Sequence, residues 1–287
     1  MDCLSDKVAH AYLEHLDVDA RPGEVDPVGL AALVRAHLRR IPYENVDIVR
    51  GRPPGIEPLA CVDRVLSGRG GYCYHLNGAL ATLLEWLQVD VTRHVAGVQR
   101  RTDDVPPGPN GSHLGVTART TDGTEWLVDA GFGDGPAEPL PLAFGRYERD
   151  GFTYELRRSS FDPGGWRFEH GPHGSFLGAD FSRAPAASAD FVGMHVALST
   201  SPDSKFVRLV SVIRHFEGGI ESLRGCVHSR ITPTSVERHD VESESEWWDV
   251  VIDGFGLAYG DVTAAERAQL WRRVRGSHEA WDAAGRP

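Results

Sequence analysis

Apolar residues recur at helical spacing through roughly the first 88 positions and at strand spacing from there to about residue 232, after which the helical period returns. Residues 5–16 and 26–40 read as helices. The second opens after Asp26-Pro27, carries Leu30, Leu33, Val34 and Leu38, and ends ahead of Pro42. A short helix around 59–67 leads into RGGYCYHLNGALATLLEWL (69–87), where Leu76, Leu80, Leu83, Leu84 and Leu87 form one apolar stripe. From Val89 the period changes to that of strands. VTRHVAGV (91–98) predicts a strand, and HLGVTART (113–120), Thr121-Asp122-Gly123 and TEWLVDAGFG (124–133) predict a hairpin. An Asp-Gly turn at Asp150-Gly151 joins two further strands, and FVGMHVALST (191–200), FVRLVSVIRH (206–215) and IESLRGCVHSRIT (220–232) are expected to continue the sheet. In the tail, Thr263 with Glu266 makes a capping box for a last helix. The class is α+β, with an antiparallel sheet or small barrel following a helical lobe.

Composition narrows the partners more than the fold. At 287 residues the chain can bury a core without disulfide or metal staples. A net charge of −11 argues against nucleic acid or an anionic membrane as the main partner. Lys7 and Lys205 are the only lysines. Cys3, Cys61, Cys73 and Cys226 are too scattered for a disulfide framework or a zinc site, so no metal is expected. No leader pattern and no spanning apolar run are visible, and a reducing, cytoplasmic setting is the expectation.

Cys73 falls where the predicted helix begins. There the unpaired N–H groups and the positive end of the helix dipole favour a thiolate, and Gly70-Gly71 permits a tight entry; the other reading is a buried, inert cysteine. A nucleophilic cysteine needs a base, and the base an orienting group. If Thr121–Gly123 is a three-residue loop with Gly123 left-handed, Thr120 pairs with Thr124 and Gly115 lies opposite Asp129. His113 is then one diagonal step from Asp129 on the same face, whereas a two-residue loop would separate the two. Gly115 leaves room for the imidazole to lean across. Asp129 interrupts an apolar strand and is costly there unless paired; the other reading is a strand-end turn residue. Gly131-Phe132-Gly133 reads either as a turn that lets backbone approach a substrate or as a loose strand end.

Together these residues resemble the arylamine N-acetyltransferase family. The family's RGG-x-C-x-E-x-N, P-F-E-N, strand histidine and V-D-x-G-F-G segments correspond to Arg69–Asn77, Pro42-Tyr43-Glu44-Asn45, His113 and Val128–Gly133, and Ser201–Phe206 also resembles a family segment. The resemblance implies a helical bundle carrying the nucleophile (1–88), a β-barrel carrying histidine and aspartate (89–195) and an α/β lid (196–287). It also implies a catalytic triad of Cys73, His113 and Asp129. Tyr43, Tyr74, Gly131, Phe132 and Gly133 fall on the substrate side, with the Tyr74 backbone N–H as candidate oxyanion donor. Arg69 and Glu44 read either as a buried pair fixing the nucleophile loop or as two solvated charges. Two departures stand out: Tyr43 replaces the usual Phe and His75 the usual Glu. About 200° round the helix from Cys73, His75 is expected to point away from the sulfur.

The activity implied is two-step acyl transfer from a thioester, acetyl-CoA, to the nitrogen of an arylamine or arylhydrazine, with no permanently bound cofactor. A divergent branch of the family supplies the alternative: amide synthases that take a polyketide from an acyl carrier protein and close an ansamycin-type macrolactam on an aromatic amine. A narrow cleft favours the first and a long open groove the second. A cysteine hydrolase would share the triad but admit water to the acyl-enzyme.

Overall fold

The computed structural model describes residues 3–285. The first segment folds as helices α1 (Asp6–Leu16), α2 (Pro27–Arg40), α3 (Val46–Val49), α4 (Pro58–Leu66) and α5 (Cys73–Trp86), with a two-residue strand β1 (Tyr43–Glu44) ahead of α3. Asp26 caps α2 through its side chain, which accepts from the Gly29 N–H at 2.7 Å, and Pro27 occupies the first turn, where its missing N–H costs nothing. α5 is the axis of this part. The leucine stripe packs against α1, α2 and α4, and the residues between are buried too, so that all positions from Cys73 to Leu84 are inside. Its opposite side meets Val116 and Ala118 of the sheet that follows.

That sheet has eight antiparallel strands: β2 (Asp90–Arg100), β3 (His113–Arg119), β4 (Glu125–Val128), β5 (Leu140–Pro141), β6 (Gly145–Arg149), β7 (Phe152–Arg158), β8 (Trp166–His170) and β9 (Phe176–Pro185). Their order is β5-β4-β3-β2-β9-β8-β7-β6, and the sheet curls into a nearly closed barrel. Aromatic rings fill it, with Trp166, Phe168, Phe176 and Phe181 buried alongside Phe132.

Residues 191–200, expected as strand, are instead helix α6 (Ala189–Thr200). Its inward positions are Phe191, His195 and Ser199, a four-residue recurrence that polar side chains hide from a hydrophobic pattern, while Val192 and Val196 face solvent. The expected strand at 206–215 begins as a helical turn, α7 (Lys205–Arg208), before strand β10 (Ser211–Phe216). β10 continues through β11 (Gly219–Arg224), β12 (Val227–Ile231) and β13 (Val236–Asp240) into a second antiparallel sheet whose outer strand on the other side is β1. Helices α8 (Glu244–Asp249) and α9 (Ala264–Ala283) complete the chain, the latter started by the Thr263–Glu266 capping box. Among the described residues no helix is long and apolar enough to cross a membrane.

Candidate active site

The start of α5 is shaped by backbone crowding. A Cβ on Gly70 would lie 1.9 Å from the Pro42 carbonyl oxygen, and one on Gly71 would lie 2.4 Å from Cβ of His75. The two glycines therefore admit the β1 segment and the helix's own side chain. Tyr72, at the N-cap, provides no side-chain acceptor, so the positive end of the helix stays open toward Cys73. Cys73 is buried, and its Sγ is 3.8 Å from the Ser112 carbonyl oxygen.

The hairpin has the longer loop. Thr120 donates its N–H to the Thr124 carbonyl at 3.0 Å, Gly123 is left-handed at φ +84°, and the register runs Arg119↔Glu125 to Val116↔Val128. This parity brings His113 Nε2 to 2.7 Å from Asp129 Oδ2. The space over Gly115 is taken by the Phe181 ring, 2.5 Å from where a Cβ would be, and that ring meets the imidazole edge-on. Phe132 stacks on the other side of His113, centroids 4.3 Å apart and planes within 6°.

The remaining oxygen of Asp129 is also committed. Oδ1 accepts from Asn77 Nδ2 at 3.1 Å and from the Gly131 N–H at 2.8 Å. Asn77 further donates to the Leu114 carbonyl and accepts from the Ala130 N–H, both at 2.7 Å. One α5 side chain thus fixes the ends of β3 and β4 against the helix that carries Cys73. It lies four residues after Cys73, on the same face, and the signal was its place in the Arg69–Asn77 segment.

Burial works against a charged imidazole here. The Asp129 carboxylate and its hydrogen bond, followed by the Cys73 thiol within hydrogen-bond reach of the ring, outweigh it and raise the His113 pKa to about 10. The arrangement can hold a thiolate beside an imidazolium and can form and break a thioester.

Gly131 belongs to this packing, since a Cβ there would lie 2.6 Å from Cα of Cys73. Gly133, left-handed at φ +81°, packs behind Tyr43 and Ile213 and does not itself line the cleft. The Tyr74 side chain also points elsewhere, donating to the Gly111 carbonyl. His75 is buried against Tyr72 and His195, its ring kept neutral by burial with a pKa of about 3.

The Arg69–Glu44 pair does not form. Glu44 is fully buried and takes Arg64 at 2.6 Å, the Val46 N–H at 2.6 Å and the Tyr259 hydroxyl at 3.1 Å. Arg69 instead bonds Asp47 at 3.0 Å and Asp261, with its guanidinium over the Tyr259 ring. Arg64 comes from α4, one helix before the motif, which spacing within the motif could not reveal.

Cys73, His113, Gly131, Phe132 and Tyr43 open onto a cleft of about 500 Å³. The facing wall comes from α6, α7, β10 and β11; Lys205 and Arg224 bring positive charge to the cleft, while Arg100 on its lining is paired with Asp103, and Asp203 also lines it. Asn45 ties this wall down, donating to the Phe206 and Leu209 carbonyls and accepting from the Ser211 N–H. No group of histidine, cysteine or acidic side chains among the described residues is placed to hold a metal ion.

A buried thiol at a helix mouth, with an imidazole–carboxylate pair behind it and a cleft in front, is a geometry that can support acyl-transfer chemistry at the cysteine. The family model described as N-acetyltransferase matches residues 28–262. The chain is 40% identical over 269 residues to the arylamine N-acetyltransferase of Mycobacterium tuberculosis (88% of this chain, 90% of that one), and 31% identical over 272 residues to that of Mycolicibacterium smegmatis (89% and 94%). The solved structure of the Mycobacterium marinum arylamine N-acetyltransferase in complex with CoA superposes with a TM-score of 0.83 at 25% identity, covering 93% of this chain and 98% of that one. This chain belongs to the arylamine N-acetyltransferase family and is an acyltransferase.

Proposed function

We propose that the protein transfers an acetyl group from acetyl-CoA, through a Cys73 thioester, to the nitrogen of an arylamine or arylhydrazine. The observation that carries this reading is the His113–Asp129 contact with the Cys73 thiol at the same imidazole. In the first half-reaction the Cys73 thiolate attacks the thioester carbonyl, the bond to CoA sulfur breaks, and the proton held on His113 leaves with CoA. In the second, the amine nitrogen attacks the Cys73 thioester, His113 takes the proton that nitrogen sheds, and the thiolate is released. Asp129, held by three donors, keeps the imidazole oriented and stabilises its charged form. The Tyr74 backbone N–H, in the first turn of α5, is the candidate donor to the tetrahedral oxyanion.

The cleft supports acetyl transfer over release of a long polyketide: about 500 Å³ is the size of an ordinary small-ligand pocket. Its cations suit the phosphates of a CoA donor. Incubated with acetyl-CoA alone, the protein should gain one acetyl group by intact mass and lose it on adding an arylamine. Cys73→Ala should keep the melting temperature and gain none. Amine acetylation by the alanine variant would overturn the scheme.

A further inference from the structure

Six of the seven tyrosine hydroxyls have a protein partner. Tyr12 pairs with His37, Tyr72 with His195, Tyr74 with the Gly111 carbonyl, Tyr147 with Ala143, Tyr154 with Gly135 and Tyr259 with Glu44. Tyr43 is the exception among the described residues, and it is the tyrosine that lines the cleft. Its ring is well held. β1 joins the second sheet through Tyr43↔Ile213, a backbone bridge joins Tyr43 to Gly71 two residues before the nucleophile, and the ring packs where three apolar clusters meet.

A half-buried phenol on rigid elements, left without a partner, forfeits a hydrogen bond unless something entering the cleft supplies an acceptor. It enters that exchange as a donor. Burial first, and then the charge of Cys73, hold its pKa well above the usual value, so the O–H keeps its proton. The cleft surface around it is aromatic and apolar: Phe132, Phe176, Phe206 and Ile213. A flat ring fits that box, and one hydroxyl donor in it reads one polar atom on the ring. Of the cations on the same lining, Arg100 is paired with Asp103, Lys205 lies over the Phe206 ring, and Arg224 is near enough to act on the Tyr43 phenol without undoing the effect of burial.

We propose that Tyr43 is a specificity residue for the amine substrate, donating its hydroxyl hydrogen to an oxygen substituent on the aromatic ring, so that the protein prefers arylamines bearing an alkoxy, hydroxyl or carboxylate group over those bearing an alkyl group of similar size. This rests on the arylamine acetyltransfer proposed above.

The test compares the three anisidine isomers with the three toluidines, methoxy against methyl, for the full-length wild type and Tyr43→Phe with acetyl-CoA as donor. Wild type should favour at least one anisidine over its toluidine in kcat/KM. In Tyr43→Phe that ratio should fall about tenfold, the worth of one hydrogen bond exchanged with solvent. Acetylation of Cys73 without amine, followed by intact mass, separates a role toward the donor from one toward the amine. A ratio unmoved for every isomer pair overturns the proposal, as does an equal loss for both amines accompanied by slower Cys73 acetylation. Should the wild type become acetylated on Cys73 yet acetylate none of the six amines, the arylamine reading itself fails and this inference with it.

Discussion

At the scale of single residues, the site is governed by what each atom of Asp129 is tied to. Oδ2 faces His113, and Oδ1 is occupied by Asn77 and the Gly131 N–H, so the carboxylate can neither rotate nor find another cation. Replacing it by an amide puts an N–H or a weaker acceptor opposite the ring and favours the wrong tautomer. Asp129→Asn should lower kcat by about 10³–10⁴-fold, the scale seen when a triad carboxylate becomes an amide. Stability should respond as well, with a sign that follows from linkage. His113 has a folded pKa of about 10, above the ordinary value of about 6.5. Its contribution is therefore complete below about pH 6.5 and disappears as pH rises through about 10. Denaturant titrations of the wild type should show that alkaline decline, and Asp129→Asn should flatten it. Glu44 carries a different lesson. Its partner could not be read from its own motif, because Arg64 reaches it from α4 and Arg69 turns to Asp47 and Asp261.

At the scale of elements, two glycines with opposite needs separate backbone conformation from close approach. Gly123 has open space where a Cβ would project, with nothing within 4 Å, but sits at φ +84°. Gly123→Ala should therefore cost about 1–2 kcal/mol of stability through strain and spare the hairpin register. At Gly131 a Cβ would meet Cα and Cβ of Cys73 at 2.6 and 2.8 Å, atoms that cannot swing aside. Gly131→Ala should cost about 1–3 kcal/mol and, by displacing the nucleophile, reduce kcat about 10²-fold with a smaller change in KM. Melting curves alongside steady-state kinetics on both variants check the contrast. The hairpin parity that brings His113 to Asp129 was legible in the sequence, because turn chemistry at Gly123 is local and a one-residue change would flip the face. Helix α6 was not, because Phe191, His195 and Ser199 bury a face that is mostly polar while Val192 and Val196 lie outside, which inverts the usual cue. Long-range partners such as Asn77 with Leu114 and Asn45 with Phe206 were equally silent, being set by packing between distant segments.

At the scale of the whole molecule, four buried imidazoles make the fold acid-sensitive. His37 and His75 have pKa values lowered to about 3 and His94 and His215 to about 4, in each case through burial first. The unfolded chain protonates them near pH 6.5 and the native one does not, so unfolding takes up protons between about pH 6.5 and 3–4 and stability falls as pH drops through that window. Urea unfolding between pH 7 and 4.5 should show a steep loss, lessened by a neutral isostere such as His94→Gln. Beyond stability, the joining of β1 to β10 has a consequence for how the protein is made. Residue 129 completes the thiol's helpers, but the wall opposite them is finished only with residues 211–224, and Tyr43 must wait for Ile213, far along the chain, to become its strand partner. A growing polypeptide therefore holds Cys73, His113 and Asp129 long before it holds the strands that wall the chamber opposite them.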